Sequence, residues 1–152
     1  MSMDSFLEGV IATPLKEIFD PKGSVLHMIR ADDPEYKGFG ECYFSEVNPG
    51  AIKAWKLHTK QTQNFTVPSG RIKLVLFDNR EYSSTKGRVQ EILLGRPGHY
   101  QRVKIPPKIW YGFTCVSDEK ALIANFTDIP HDPNESQRLP ETDPLVPFTW
   151  SS

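Results

Sequence analysis

Two short segments of the sequence carry side chains that suit proton-transfer chemistry. The first ends in His58, in the run Lys56-Leu57-His58, and the second holds Tyr111, which follows a Pro-Pro corner and precedes a Gly-Phe pair. An imidazole can accept a proton near neutral pH, because its unperturbed pKa is about 6.5, and a phenol can donate one. Together inside one fold they would form a base and an acid. The competing interpretation is structural, since a strand histidine or a core tyrosine more often needs only a hydrogen-bond partner.

Short strands must position these two residues. The 13 prolines and 10 glycines among 152 residues interrupt the chain too often for long helices. The intervening segments are rich in Val, Ile, Phe, Tyr and Thr, a composition typical of strands. The predicted strands cover residues 11–12, 24–29, 39–45, 54–60, 64–67, 71–77, 88–94, 100–105, 111–116 and 121–126. Their regular spacing predicts an all-β fold, an antiparallel sandwich or barrel, with a single helical turn at 15–19.

Composition and charge exclude several functional classes. Lys and Arg nearly balance Asp and Glu, giving a formal net charge of −1, so we expect neither nucleic acid nor a membrane surface as a partner. No apolar run approaches the length of a transmembrane span, and the N-terminus has no signal-peptide pattern, so we expect a soluble, cytoplasmic protein. Cys42 and Cys115 lie among apolar neighbours and are expected to be buried free thiols.

The C-terminal segment differs from the rest of the chain. Residues 129–152 are rich in prolines and acidic side chains and have almost no apolar periodicity before Val146. We expect them to form an irregular arm that packs over the β-domain or against a partner subunit. The chain contains no internal repeat, so residues 1–152 are expected to form a single domain.

Several short motifs follow one another in a fixed order. They are Asp-Pro-Lys-Gly at 20–23, Leu-His at 57–58, Asp-Asn-Arg at 78–80, Ser-Thr-Lys-Gly at 84–87, Ile-Pro at 105–106, Tyr-Gly-Phe at 111–113 and Thr-Asp at 127–128. The series resembles the sugar-nucleotide 3,5-epimerases of the rhamnose pathway, which act on dTDP-4-keto-6-deoxyglucose. This resemblance implies a cupin-type jelly-roll barrel. It also implies a homodimer whose N-terminal strands, within residues 1–30, extend the partner's sheet.

The resemblance implies a mechanism that needs no cofactor, because the 4-ketone of the substrate acidifies the hydrogens on C3 and C5. The family's base is at the Leu-His position, which is His58 here. The base removes one hydrogen, the charge delocalises as an enolate, and reprotonation from the opposite face inverts the carbon. Positive charge near the ketone oxygen stabilises the enolate. The product would supply a deoxysugar for surface polysaccharide of the O-antigen type.

The proton donor of the family is altered in this chain. In the family the acid is a tyrosine three residues before the Thr-Asp pair, and that position holds Ala124. The family also has a histidine before the Gly-Phe pair, where this chain has Tyr111. Our hypothesis is that Tyr111 donates the proton that Ala124 cannot. Loss of the usual acid favours inversion at one carbon, C3, over inversion at both C3 and C5.

The cations and the residue that orients the base also differ from the family pattern. The family's arginine before Gly-Leu-His is replaced by Trp55-Lys56, and the lysine of the next strand aligns near Gln63, so Lys56 or Lys60 would supply the positive charge. The family's aspartate that orients the histidine lies beyond the end of this chain. Asp78, Asp143 or a backbone carbonyl is the candidate replacement.

The remaining candidate contacts concern the nucleotide and the sugar. Lys22 replaces an arginine that grips the diphosphate in the family, and it could meet a phosphate as a point charge. His27 is a candidate to face the ligand, and Trp55 and Trp110 are candidate pocket walls. Because these contacts differ from the family, the nucleotide could be CDP as well as dTDP.

We expect no metal, and two other functions compete with epimerisation. Metal-binding cupins place two histidines one residue apart on a strand, whereas a lysine, Lys60, stands at that distance from His58 and would repel a cation. A 3,4-ketoisomerase on the same scaffold shares the enolisation step. A non-catalytic cupin that binds a sugar nucleotide is the alternative from another class.

Overall fold

The computed structural model describes residues 6–151, which form two large antiparallel sheets and a small hairpin. In chain order the strands are β1 (Ile11–Pro14), β2 (Glu17–Ile18), β3 (Val25–Leu26), β4 (Glu41–Val47), β5 (Ile52–His58), β6 (Gln63–Ser69), β7 (Arg71–Asp78), β8 (Val89–Gly95), β9 (Gln101–Ile105), β10 (Ile109–Cys115), β11 (Ala121–Thr127) and β12 (Ser136–Arg138). The first sheet has the order β1-β9-β6-β11-β4, the second β12-β5-β10-β7-β8, and β2 pairs with β3. The predicted all-β jelly-roll fold is confirmed.

Three local predictions differ from the structure. The helical turn predicted at 15–19 is wrong, because Glu17–Ile18 is extended and pairs with Val25–Leu26 across the Asp-Pro-Lys-Gly turn. A single isolated helical turn has no packing to offset its nucleation cost, whereas Gly23 at φ 127° allows this tight connection. The strand predicted at 24–29 is shorter in the structure, where β3 covers only Val25–Leu26. The C-terminal arm, predicted to be irregular, contains β12, which pairs with β5.

The space between the two sheets holds the main hydrophobic core. On β10 the inward positions are Tyr111, Phe113 and Cys115, because side chains alternate between the faces of a strand. Buried residues of β6, β7, β9 and β11 complete this core. Leu74 and Leu76 of β7 are 0% exposed, and burying side chains of this size contributes roughly 1.5–3 kcal/mol each.

The outer face of the second sheet is covered by the C-terminal segment. Trp55 is 1% exposed and packs against Phe148 and Trp150, with ring centroids 6.1 and 5.2 Å apart. The Trp55 indole N–H donates to the carbonyl of Glu141 at 3.2 Å. The expected arm over the β-domain therefore has a defined docking surface, and the core tryptophan of β5 provides it.

The thiol of Cys42 is exposed, which corrects the expectation that both cysteines are buried. β4 is the last strand of the first sheet, and its inward residues are Tyr43 and Val47. Alternation therefore turns Cys42 and Phe44 to the outside, where Phe44 is 65% exposed. Cys115 is buried as expected.

The corner between β9 and β10 sets the position of the candidate phenol. After Pro106-Pro107, Lys108 adopts a left-handed conformation with φ 71°, and its N–H donates to the carbonyl of His58 at 2.6 Å. This bond fixes the register in which Trp110 pairs with Leu57 and Tyr111 with Lys56. Gly112 follows, at an irregularity of the ladder where an added Cβ would lie 2.5 Å from that of Ala54. Glycine at this position therefore lets β10 and β5 pair at a point where a side chain would clash.

Over residues 6–151, no helix has the length and apolar character required to cross a bilayer.

Candidate active site

A cavity of about 450 Å³ lies between the two sheets, on the side where β4, β5, β10 and β11 approach one another. Both sheets supply its walls. The lining residues are Tyr43, Ser45, Ile52, Lys53, Ala54, Trp55, Lys56, Phe65, Tyr111, Phe113, Ile123, Asn125 and Arg138. The walls combine apolar and aromatic surface with three cations and a few neutral polar groups, and among the described residues no carboxylate lines the cavity. Such a lining suits an organic ligand that carries negative charge.

His58 is not itself a lining residue of this cavity; it lies behind Tyr111, which lines it, and is paired with a buried carboxylate. Its Nδ1 is 2.7 Å from Oε1 of Glu135, and both side chains are 4% exposed. The second oxygen of Glu135 accepts the backbone N–H groups of Lys60 and Gln61 at 2.9 and 2.8 Å. The carboxylate is therefore held in place by donors on both oxygens. It fixes the His58 tautomer with the proton on Nδ1, which leaves Nε2 free to accept a proton.

The electrostatics of this pair favour a neutral imidazole beside a charged carboxylate. Burial lowers the pKa of His58, and the hydrogen bond and charge of Glu135 only partly offset that effect. Burial by itself would raise the pKa of Glu135, but the hydrogen bonds from His58, Lys60 and Gln61 outweigh it and hold the pKa below its usual value. Near pH 7 the pair thus has the protonation states that general-base catalysis requires.

Tyr111 stands beside His58 on the same sheet. Its hydroxyl is 3.3 Å from Nε2 of His58, and the two rings are nearly parallel, at 11° with centroids 6.0 Å apart. The hydroxyl also donates to Oε1 of Gln63 at 3.3 Å. The phenol is 6% exposed, and burial raises its pKa far above the usual value. The structure therefore brings the two candidate residues together but places Tyr111 on the same side of the cavity as His58.

The opposite wall carries a second phenol, Tyr43 of β4. Its partner in the ladder is Asn125 of β11, whose amide Nδ2 donates to the Tyr43 hydroxyl at 3.0 Å and to Gln63 Oε1 at 2.7 Å. Gln63 in turn accepts from Tyr111. Groups within hydrogen-bonding distance therefore lead from the buried carboxylate through the imidazole to both phenols, and the single Tyr111 proton can go either to His58 Nε2 or to Gln63 Oε1.

Three cations surround the cavity entrance. Lys53 and Lys56 come from β5, and Arg138 comes from β12, the strand that pairs with it. The pKa of Lys56 is lowered, first by burial and then by the charge of Arg138. Two cations that repel each other in this way gain from an anion placed between them.

Among the residues predicted from sequence, Lys56 lies in the cavity wall and Gln63 lies just behind it, 1% exposed. Trp55 also contributes to the wall, although its indole packs outside against Trp150. Lys60 contacts the site only through its backbone N–H, since its side chain points to solvent. Gln63, expected near a ligand, instead connects Tyr111 to Asn125.

Lys22, His27 and Trp110 are not brought to this cavity. Lys22 is exposed in the turn between β2 and β3, and His27 lies beside a separate surface depression. Trp110 occupies an outward position of β10 and packs with Val75 and Val146, because Tyr111 takes the inward position. Their predicted contacts with the nucleotide or sugar have no counterpart in this chain's own cavity.

Two predictions about individual side chains are corrected. Neither Asp78 nor Asp143 orients His58: Asp78 accepts hydrogen bonds from Arg80, Ser83 and Thr85, and Asp143 caps a turn through Leu145 N. Glu135 has that role, because the turn of residues 133–135 places it below β5.

Ala124 does not line the cavity. Its neighbours Ile123 and Asn125 line the cavity, so strand alternation turns Ala124 to the other face of the sheet. Asn125 is the residue of β11 that is available to the site.

Sequence reasoning missed Glu135, Tyr43, Asn125 and Arg138. The Asp-Pro-Asn-Glu run at 132–135 does carry a signal for a short turn, since Asp132 caps it and proline follows. Nothing local indicates where that turn docks. Tyr43 has no signal of its own, because alternation allows only one of Tyr43 and Phe44 to face inward and the sequence does not distinguish them.

Comparisons with known proteins agree with this fold. The family model described as dTDP-4-dehydrorhamnose 3,5-epimerase matches residues 5–152. The chain is 34% identical over 139 residues to the probable low-salt glycan biosynthesis epimerase Agl13 of Haloferax volcanii, covering 88% of this chain and 87% of that protein. It is 28% identical over 148 residues to the spore coat polysaccharide biosynthesis protein SpsL of Bacillus subtilis, covering 96% and 97%.

A solved structure shares half of the sequence. The dTDP sugar isomerase from Desulfovibrio desulfuricans G20 superimposes with a TM-score of 0.93 at 50% identity, covering 95% of this chain and 92% of that one. This chain belongs to the dTDP-4-dehydrorhamnose 3,5-epimerase family, and the family resemblance inferred from its motifs is confirmed.

Proposed function

We propose that this protein inverts C3 of a nucleotide-linked 4-keto-6-deoxyhexose by removing and returning a proton through an enolate. The observation that supports this most directly is the buried pair of His58 and Glu135, which lies directly behind Tyr111 of the cavity wall. The carboxylate accepts a hydrogen bond from Nδ1–H, which leaves Nε2 as the nitrogen that can take up a proton. A carbon acid next to a ketone is the kind of substrate that a neutral imidazole can deprotonate.

The base must be reachable by the substrate. The contact between Nε2 and the Tyr111 hydroxyl is long, at 3.3 Å, and Tyr111 has a second acceptor in Gln63. A small rotation of the phenol toward Gln63 therefore frees Nε2 without leaving the hydroxyl unpaired. When the base removes the proton, the C3–H electron pair moves into the ring and the ketone oxygen gains the charge. The imidazolium formed at His58 is stabilised by the Glu135 carboxylate.

The cations account for the nucleotide-linked part of the substrate. Lys53, Lys56 and Arg138 surround the entrance of a cavity whose described walls contain no carboxylate. A diphosphate between Lys56 and Arg138 would favour the charged form of Lys56, whose pKa is lowered first by burial and then by the charge of Arg138. The sugar would then extend inward, along the aromatic wall that Phe65 and Phe113 form together, toward His58. The enolate oxygen would lie on the Lys56 side.

The relatives support a choice of nucleotide and of pathway. We favour dTDP over CDP, because the similar Desulfovibrio protein is described as a dTDP sugar isomerase. A place in surface polysaccharide synthesis is supported by the glycan and spore coat relatives. We choose C3 over C5 because the family removes the C3 proton first and because the family's tyrosine acid has no direct replacement on β11.

A homodimer is part of this proposal. The hairpin of β2 and β3 exposes apolar side chains, with Phe19 80%, Val25 57% and Ile18 48% exposed. Such a concentration on one small hairpin favours contact with another subunit. Equilibrium sedimentation of the wild-type protein and of Phe19→Ser tests this: the wild type is expected to sediment as a dimer and the variant as a weaker one.

The central experiment is proton NMR of dTDP-4-keto-6-deoxyglucose incubated with the protein in D2O, with the CDP-linked sugar in parallel. Deuterium at C3 with inversion is the expected result, while label at both C3 and C5 would show the double reaction. His58→Asn is expected to abolish exchange but keep nucleotide affinity, whereas His99→Asn, the same change at an exposed turn, serves as the matched control. Undiminished exchange in His58→Asn would eliminate the histidine as the base. A 3-keto product would identify a ketoisomerase, and binding without exchange would indicate a non-catalytic cupin.

A further inference from the structure

We propose that Tyr43, on the wall opposite His58, is the acid that delivers a proton to the other face of the substrate. This inference rests on the proposed function and replaces the role predicted for Tyr111. Inversion requires that the proton leaves from one face of the carbon and returns to the other. The donor must therefore stand across the substrate from the base.

The sheet topology separates the two phenols in the required way. His58 lies on β5 and Tyr111 on β10, which are paired strands of the second sheet. Tyr43 lies on β4, at the edge of the first sheet, and it lines the same cavity from the facing wall. A planar enolate held between the sheets would present one face to His58 and the other to Tyr43. Tyr111, stacked beside His58 at 11°, meets the same face as the base.

The hydrogen bonds decide which phenol has a proton to give. Asn125 Nδ2 donates to the Tyr43 hydroxyl oxygen, so that oxygen acts as an acceptor. Within residues 6–151 no side chain or carbonyl accepts the Tyr43 proton, which leaves it available to the cavity. The Tyr111 hydroxyl already donates to Gln63. The unprotonated Nε2 of His58 is a second acceptor at the same distance, 3.3 Å, so the proton of Tyr111 is committed to the protein with either partner.

The same asparagine prepares Tyr43 for the charge that it acquires. When Tyr43 gives up its proton, the phenolate keeps the Asn125 donor, and the donor is fixed by its second bond to Gln63. Burial raises the pKa of Tyr43, but the Asn125 bond opposes this rise. Tyr111 is more deeply buried, and its pKa lies far higher. Of the two, Tyr43 is the better donor near neutral pH.

The step balances without any other reactant. His58 Nε2 takes the proton from C3, the Tyr43 O–H bond breaks, and a new C3–H bond forms from the enolate electron pair. The product differs from the substrate only in configuration. His58 then carries one extra proton and Tyr43 lacks one, and both are restored by solvent through the cavity entrance when the product leaves.

Tyr43→Phe in D2O separates abstraction from inversion, and Tyr111→Phe is the matched comparison. For Tyr43→Phe we expect deuterium to enter C3 of dTDP-4-keto-6-deoxyglucose with retained configuration, because His58 can still remove and return a proton on its own face. Formation of the inverted product should fall about 100-fold or more, the usual contribution of a general acid. Tyr111→Phe should invert within about tenfold of the wild type.

Several results would overturn the proposal. Inversion by Tyr43→Phe at a rate close to the wild type would do so, as would a selective loss of inversion in Tyr111→Phe, which would restore Tyr111 as the acid. Loss of exchange and inversion together in a folded Tyr43→Phe would show a binding role instead. If that variant does not fold, Asn125→Ala tests the same point: it should lower inversion more than exchange, and an equal effect on both would contradict the acid role. A wild-type protein that exchanges no substrate hydrogen refutes the proposed function itself, and Tyr43's role with it.

Discussion

Replacing Glu135 by glutamine tests the base more sharply than removing the base itself. The two side chains have the same shape, but one carboxylate oxygen becomes an NH2 group. In the wild type, Oε1 faces His58 Nδ1 at 2.7 Å, and Oε2 accepts the N–H groups of Lys60 and Gln61. The amide can satisfy one side of this arrangement but not both.

The energetic choice between the two orientations predicts the result. With the NH2 group toward the backbone, two buried N–H donors lose their acceptor, which costs about 1–3 kcal/mol each. With the NH2 group toward His58, no donor is lost if the imidazole changes tautomer and carries its proton on Nε2. The second orientation is cheaper by several kcal/mol, so Glu135→Gln should fold. Its histidine, however, has no free nitrogen facing the substrate.

We therefore expect Glu135→Gln to lose C3 exchange by about 10³–10⁴-fold, as expected when a base histidine is held in the wrong tautomer. Nitrogen chemical shifts of labelled histidine should show the proton moving from Nδ1 to Nε2. Asp143→Asn is the control, because it removes a carboxylate that the sequence also offered as an orienting residue, and its activity should stay at the wild-type level. A folded Glu135→Gln protein that exchanges within tenfold of the wild type would refute this account of the base.

Two further predictions concern protonation and stability. Because burial lowers the pKa of His58, the neutral base persists below pH 6.5. The value of kcat/KM should therefore stay constant through pH 7 and decline only at lower pH, as the imidazole takes up a proton. An acid limb above pH 7 in the pH–rate profile would contradict this. Asp78 is 0% exposed and accepts from Arg80, Ser83 and Thr85, whose hydrogen bonds hold its pKa far below the usual value although burial opposes them. Asp78→Ala should lower the free energy of unfolding, measured by urea denaturation, by about 3–5 kcal/mol. C3 exchange per folded molecule should stay close to the wild type. An unchanged denaturation midpoint would show that the hydrogen bonds of Asp78 do not stabilise the fold.

The fold was predictable because its signals are local. Prolines and glycines mark most of the strand ends, and the segments between them have the β-branched and aromatic composition of buried strands. The errors fall where tertiary contacts decide. β2 and β12 are two and three residues long, and each exists through pairing with a neighbour that local composition does not reveal.

The candidate site was predictable only in part, for a related reason. The Leu-His and Tyr-Gly-Phe motifs lie on long strands, so their neighbourhood followed from the family pattern, and the structure places the two side chains 3.3 Å apart. Glu135 lies 77 residues from His58, in a segment where an acidic side chain looks solvated. Tyr43 was obscured by Phe44: hydrophobicity favours the phenylalanine for the interior, but the strand turns the tyrosine inward and leaves Phe44 exposed.

The acid must lie on the cavity wall opposite the base, but it need not occupy one particular position on that wall. An inverting site between two sheets needs a base on one wall and a donor on the other, and each wall offers several inward positions. On β11 the inward residue is Asn125, which cannot give up a proton at neutral pH. Its ladder partner on β4, Tyr43, lies one strand away on the same wall and can. Because paired residues of adjacent strands lie about 5 Å apart, a proton donor at either of the two positions faces the same side of the substrate. The asparagine then becomes the group that holds the donor, so both residues contribute to one function.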